Sequence, residues 1–231
     1  MKHSFAEYYY ELVFDEYGYH NYLNWVINET KGCLILECAC GTGHLSHLLA
    51  QNGFIVDALD NDLSMIDYAK KENNHNNLTF YYQSMFDLSN LGMYDTIIIF
   101  LDSLNYCETI DELYLFFRQA YNHLNHNGIL LFDMHHPNRL DEFLVEYIEE
   151  GVILGNYYQW SIQTINNRLH HNIVVYEDDS MSINKINQFV FDIDTIETIL
   201  NEISFEFERI LHFNESQFDL EEKFYYRARK G

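Results

Sequence analysis

The sequence predicts an α/β protein with a doubly wound, mostly parallel sheet and an inserted antiparallel β cap. Three observations carry this expectation. Apolar β-branched runs alternate with helically spaced segments between residues 34 and 134. The first of these runs ends in an acid and turns through two glycines into a helical pattern. Beyond Leu140 the period shortens to alternating runs bounded by polar residues.

Residues 1–31 carry Phe5, Tyr8, Tyr9, Leu12, Val13 and Phe14, then Tyr22, Leu23, Trp25, Val26 and Ile27, which predicts two amphipathic helices ahead of the first strand. Leu34 to Cys38 reads as that strand. The turn Ala39-Cys40-Gly41-Thr42-Gly43 follows, and Leu45, Leu48 and Leu49 open the next helix. Small residues let a ligand approach the backbone there, and the helix N-terminus offers unpaired N–H groups. An ordinary strand-to-helix turn uses the same residues, so the loop alone leaves the choice open.

Phe54 to Asp60 is a second strand closing on a carboxylate. In doubly wound sheets an acid in that place accepts hydrogen bonds from ribose hydroxyls; the competing role is an N-cap for the helix Met65 to Lys71, which Asp62 or Ser64 can fill instead. Leu78 to Gln83 predicts a third strand, running into Ser84-Met85-Phe86-Asp87. Thr96 to Leu101, apolar on both faces, predicts a central fourth strand ending at Asp102-Ser103-Leu104-Asn105-Tyr106. Glu112 to Leu124 is helical, Asn127-Gly128 turns, and Ile129 to Met134 gives a fifth strand ending at His135 and His136. The acidic residues from Glu146 to Glu150 read as a solvated helix end. Val152 to Phe191 predicts about three antiparallel strands. Ile193 to Leu200 is helical, and Phe205 to Phe213 with Lys223 to Arg229 close the chain as two strands. The organisation expected is residues 1–150 and 192–231 as one α/β domain, with five βα-type units, and 151–191 as a cap.

Composition narrows the function classes. A chain of 231 residues with 48% hydrophobic and 16% aromatic content suits one core with an inserted subdomain. A formal net charge of −23 with only 13 Lys and Arg argues against a grip on nucleic-acid phosphates. It favours a neutral or cationic small molecule through long-range attraction. No apolar run reaches membrane-spanning length and the first ten residues lack a secretory core, which predicts a cytoplasmic protein away from membranes. Cys33, Cys38, Cys40 and Cys107 lack zinc or disulfide spacing and read as small core thiols. The histidine pairs 44/47, 135/136 and 170/171 place no third ligand, so no metal is expected.

Taken together, Glu37-Cys-Ala-Cys-Gly-Thr-Gly43, Ala58-Leu-Asp60-Asn-Asp-Leu-Ser-Met65-Ile, Tyr94-Asp95-Thr-Ile-Ile-Ile99, Phe100-Leu-Asp-Ser-Leu-Asn-Tyr106, Asn127-Gly-Ile-Leu-Leu-Phe-Asp133 and Phe5-Ala-Glu-Tyr-Tyr9 resemble the small class I S-adenosylmethionine-dependent methyltransferases. The likeness is to bacterial small-molecule types with a β-stranded cap on the Rossmann-like methyltransferase fold. It implies S-adenosylmethionine as cofactor, S-adenosylhomocysteine as product, and N- or O-methylation of a small molecule. By that resemblance Glu37 and the backbone of Ala39, Cys40, Gly41 and Gly43 hold the methionine end. Asp60 with Asn61 takes the ribose hydroxyls, Met65 and Met85 line the adenine, Ser84 and Phe86 flank its edge, and Leu101 offers its carbonyl to the ammonium.

The sequence departs from that pattern in three places. Ala39 stands for the usual first glycine, Ser84 for a frequent aspartate, and Asn184-Lys-Ile186-Asn-Gln-Phe189-Val-Phe191 for a Glu-x-His segment with an arginine and an aromatic behind it. A nicotinamide dinucleotide is the rival ligand, but its third glycine is replaced by Ser46 and only Lys31 is close enough to serve a pyrophosphate. Methyl transfer from a sulfonium needs alignment and exclusion of water more than a universal base. His135, beside Asp102 on the same sheet edge and with Tyr9 from the N-terminal cover, is expected to orient or deprotonate the acceptor. The alternative reading is a cofactor-binding module without methyl transfer, serving a binding or regulatory role.

Overall fold

The computed structural model of the chain describes residues 3–178, 180–210 and 222–231. Helices α1 (Phe5–Val13) and α2 (Glu16–Glu29) come first. Ser4 and Glu7 form a reciprocal capping box on α1, and Asp15 caps α2 by accepting from Tyr17 N–H. The chain continues through β1 (Leu34–Cys38), α3 (His44–Gln51), β2 (Ile55–Asp60), α4 (Leu63–Glu72), β3 (Leu78–Tyr82), β4 (Tyr94–Ile99), α5 (Ile110–His123) and β5 (Leu124–His135). After α6 (Asn138–Glu142) come β6 (Tyr147–Ile153), β7 (Asn156–Ile165), β8 (Arg168–Glu177) and β9 (Ser180–Phe189), and α7 (Ile193–Ile203), β10 (Phe205–Arg209) and β11 (Lys223–Lys230) end it.

The main sheet has the order β10-β11-β5-β4-β1-β2-β3, with β11 antiparallel to both neighbours and the other pairs parallel. Strand order reverses between β1 and β4, which opens a crevice at their carboxyl ends. The central strands are apolar on both faces because both are covered. Leu36, Ile97, Ile99 and Phe132 pack under α5 and α7, while Ile35, Ile98 and Leu131 pack under α2 and α3.

The expected elements occur, with four differences. No helix joins β3 to β4, so one of the five βα units is a strand and a loop across residues 83–93. The second sheet, β6-β7-β8-β9, has four strands and starts at Tyr147, ahead of the expected boundary at 151. Glu149 and Glu150 therefore lie in β6 and not at a helix end; their carboxylates accept from Tyr158 OH and Gln159 Nε2 on the neighbouring strand. Cys33 is exposed, whereas the other three thiols are buried. The continuation of β10 to Phe213 lies outside the described residues beyond 210.

Helix α1 is the wedge between the two sheets. Its Tyr8 packs with Ile153, Ile173 and Val175 on the inner face of the second sheet, with Phe5, Tyr9 and Leu12 beside it. Among the described residues no helix is long and apolar enough to cross a membrane.

Candidate active site

A cavity of about 610 Å³ lies over the carboxyl ends of β1, β2, β4 and β5, roofed by α1 and walled by the inner face of the second sheet. Its size suits a small-molecule site.

One half is built on the β1 turn. Ala39, Gly41 and Gly43 all have positive φ, at 54°, 52° and 74°. A Cβ on Gly41 would meet nothing within 4 Å, so the backbone there faces open space. Gly43 differs: a Cβ would stand 2.5 Å from Phe80 Cε1, and this glycine is absent from the cavity wall. Gly43 thus packs the turn against Phe80 of β3. Asp60 accepts from Gly41 N–H at 2.8 Å through Oδ2 and from Asp62 N–H at 2.9 Å through Oδ1. Burial raises its carboxyl above the ordinary value, while these N–H groups pull the other way.

Glu37 is buried at the end of β1 and lines the same space. Burial pushes its carboxyl up to about 8, the Ser46 hydroxyl that donates to Oε2 lowers it, and the charge of Asp60 adds to the rise. Ser46 occupies the place of a dinucleotide fingerprint's third glycine and supports the acid instead. Ala39, Cys40, Asn61, Met65, Met85 and Leu101 also line the cavity. Ser84 and Phe86 do not. Phe86 N–H donates to Ser84 Oγ at 3.2 Å, and Phe86 O accepts from Gln119 Nε2 at 3.2 Å, so both hold the β3–β4 loop against α5.

The other half is polar and built from long-range neighbours. The chain leaves β4 through Leu101 and Asp102, both left-handed at φ 57° and 60° although neither is glycine. Asp102 N–H donates to Asp133 Oδ1 at 3.1 Å, which holds the turn. Lys223 Nζ stands 2.7 Å from Asp102 Oδ2 and 3.1 Å from Asp133 Oδ2, and Tyr22 OH also donates to Asp133. Burial alone would raise the Asp102 carboxyl, but His135 and Lys223 outweigh it and hold it below the ordinary value. Asp133 is raised by burial. Burial would lower the Lys223 ammonium, yet the two carboxylates hold it above its ordinary value.

His135 Nδ1 lies 3.3 Å from Asp102 Oδ1, and Nε2 lies 3.0 Å from Gln188 Oε1. Its backbone N–H donates to Asn105 Oδ1 at 3.0 Å, and Asn105 Nδ2 donates to Phe189 O at 2.7 Å. These bonds tie the end of β9 to the edge of the main sheet. Tyr9 projects from α1 into the same cavity, where burial raises its phenol and the charges of Asp102, Lys223 and Asp60 act on it. The structure thus gathers His135, Asp102 and Tyr9 on one cavity. Gln188, Trp160, His171 and Tyr106 line it too, and Lys223 stands beside Asp102; the sequence assigned none of these five to the site. Lys223 had a signal, a cation directly ahead of the apolar run Phe224-Tyr225-Tyr226. Among the described residues no group of three or more His, Cys, Asp or Glu side chains is placed to hold a metal ion.

Residues 35–128 match the family model for a methyltransferase domain. A protein of Geobacillus sp. (strain WCH70) named as a methyltransferase is 33% identical over 153 residues, 63% of this chain and 62% of its own length. The chain thus spans less than two thirds of that relative. Among solved structures, an S-adenosylmethionine-dependent methyltransferase from Clostridium acetobutylicum ATCC 824 superposes with a TM-score of 0.81 at 20% identity, covering 98% of each chain. The sugar N-methyltransferase KedS8 from Streptoalloteichus sp. ATCC 53650 gives 0.81 at 15% identity over 100% of this chain and 94% of its own. The fold is that of the Rossmann-like methyltransferases.

Proposed function

We propose, on the premise of a methyltransferase domain in a methyltransferase fold, that this protein uses S-adenosylmethionine to methylate a nitrogen or oxygen of a small molecule in the cytoplasm. The observation that carries the reading is the joint between Asp60 and the Gly41 N–H beneath an open cavity. It sets a free carboxylate lone pair beside a backbone that nothing covers.

The residues present fit that cofactor. Gly41 leaves room for the methionine end, and Glu37 faces it as the acid. Asp60 and Asn61 would take the ribose diol, and Met65, Met85 and Phe100, which line the cavity with them, would offer an apolar slot to the adenine. When bound, the cofactor supplies a methyl group already activated on sulfur. The chain's own work is then alignment and exclusion of water. Tyr9 closes the middle of the cavity from α1, and Trp160 and Ile162 on β7 cover the acceptor side, so a bound acceptor is held dry and in line. His135, backed by Asp102, orients it. The second sheet, set at 151–191 in the sequence and at 147–189 in the structure, acts as the cap that selects the acceptor. A net charge of −23 supports a neutral or cationic acceptor over a nucleic acid. The likeness to a sugar N-methyltransferase supports an amine.

Calorimetry with S-adenosylmethionine and S-adenosylhomocysteine tests the pocket, and methyl transfer to a panel of amino and hydroxy sugars tests the reaction. Binding with D60A reduced at least tenfold, followed by turnover on an amine, is expected. No uptake of either compound by the wild-type protein overturns the reading. Binding without turnover on any acceptor points to the regulatory module instead.

A further inference from the structure

The inner face of the second sheet packs on α1 and walls the cavity, while its outer face stands open among the described residues. Register puts Tyr158, Trp160, Ile173 and Val175 on the inner face with Tyr8. The residues between them point the other way. Val152 pairs with Tyr157, Tyr157 with Tyr176, and Tyr176 with Met181, so one row of the outer face is apolar across all four strands. Its members are 73%, 44%, 43% and 61% exposed, and Ile183, one row along, is exposed as well. The rings of Tyr157 and Tyr176 sit side by side in the middle of the row, 5.6 Å between centroids. Single exposed apolar side chains are ordinary, whereas an unbroken row across a sheet marks a contact surface.

The charge of this face says what the surface meets. The chain has 36 Asp and Glu against 13 Lys and Arg. Within the four strands, however, the outer face carries one acid, Glu150, and two cations, Lys185 and Arg168. Two copies with a net charge of −23 each repel one another, so they can meet only where acids are missing. The face is also self-complementary. A two-fold axis parallel to the strands, between β7 and β8, lays β6 of one copy over β9 of the other. Val152 then faces Met181, Tyr157 faces Tyr176, and Glu150 lies one row from Lys185, within reach of a lysine side chain. Symmetry makes each of these contacts twice. Four strands about 4.8 Å apart and ten residues of about 3.4 Å give a face of roughly 650 Å², so the pair covers about 1,300 Å², above the roughly 1,000 Å² that a specific interface needs.

We propose that the outer face of the second sheet is a dimer interface whose occupant is a second copy of this chain, stacked sheet on sheet at a spacing of about 10 Å. The inference goes beyond the reaction proposed above and does not depend on it. It sets the two caps back to back with one cavity on the far side of each. Trp160 and Asn184, which wall the cavity, alternate along β7 and β9 with Gln159 and Ile183 of the interface.

Sedimentation equilibrium of the full chain tests the proposal. At about 50 µM the wild type is expected at twice the chain mass, since interfaces of this size hold at micromolar concentrations. Y157E/M181E puts carboxylates into the apolar row and should sediment as a monomer, with circular dichroism unchanged because both side chains are exposed. E150K and K185E each set like charges across the axis and should raise the dissociation constant at least tenfold, while E150K/K185E restores opposite signs and should return it to within about threefold of wild type. Within one chain these two residues stand three strands apart, so the rescue comes from the second copy. A monomeric wild type overturns the proposal and leaves the face to another protein. A dimer that survives Y157E/M181E, or a double reversal no tighter than the single ones, overturns it as well. The wild-type mass and the charge swap decide even if Y157E/M181E does not fold.

Discussion

Glu37 gives the sharpest quantitative test. Its carboxyl is buried and pushed from 4.5 up to about 8, with burial the largest cause. At about pH 7 it is then roughly nine-tenths protonated in the free protein. If it faces the ammonium of the methionine end, binding selects the carboxylate and must expel that proton. Titration at about pH 7 in two buffers of different ionisation enthalpy should report release of roughly 0.9 proton per cofactor bound. The same linkage weakens binding at that pH by about tenfold, or about 1.4 kcal/mol, relative to the fully ionised site. E37Q, which has no proton to give, should release none and lose the difference in pH dependence. The sign for stability follows from the same shift. The folded value lies above the unfolded one, so the free protein holds an extra proton when folded, and its stability falls as pH rises from about 5 to about 8. The loss reaches roughly 4–5 kcal/mol for a shift of this size. E37Q should remove that decline in urea titrations. Zero proton release by the wild type, or release unchanged in E37Q, refutes the reasoning.

The two glycines of the turn should separate stability from binding. G43A drives a Cβ against Phe80 at 2.5 Å in a positive-φ position and should cost about 2–4 kcal/mol, read as a fall in melting temperature of roughly 5–15 °C. G41A meets open space, so its thermal loss should stay near 1 kcal/mol while cofactor affinity drops at least tenfold in calorimetry. D60N loses the charge and one of the two acceptor oxygens, setting its amide nitrogen against the N–H of Gly41 or Asp62; binding should weaken by about 1.5–3 kcal/mol and the melting temperature should fall by a few degrees. K223M strands Asp102 and Asp133 and should cost about 3–5 kcal/mol in urea unfolding, with K223M/D133N recovering part of the loss. A double variant no more stable than K223M would show that the two carboxylates do not share that ammonium.

The parallel half of the fold was legible because its rules are local. Leu34–Cys38 and Tyr94–Ile99 are apolar on both faces, which only strands covered by helices on each side tolerate, and the turn after Leu34–Cys38 announces its helix by glycine. Asp60 was legible for the same reason, since a carboxylate at the end of the second strand falls beside the first turn whenever the strands are neighbours. The missing helix after β3 was not, because Ser84 to Met93 has neither period. Glu146 to Glu150 misled because charge runs suggest solvated helix ends; here the alternating face of β6 finds its donors one strand away, on Tyr158 and Gln159.

The polar half of the cavity was less legible, and the cause is topological. Lys223 reaches Asp102 and Asp133 because β11 inserts antiparallel beside β5, pairing Lys223 with His135 across 88 positions of chain. Gln188 reaches His135 because β9 returns to the sheet edge, where Asn105 holds its neighbour Phe189. Spacing along the chain constrains residues on one strand or helix, and neither contact is of that kind. What a sequence does show is the cost such residues carry: a lysine heading an apolar strand needs a buried partner, and an acid at the end of another apolar strand needs a cation. Matching those two debts across β5 and β11 would have placed Lys223 on Asp133, and Asp102, three residues past the end of the neighbouring β4, would have followed.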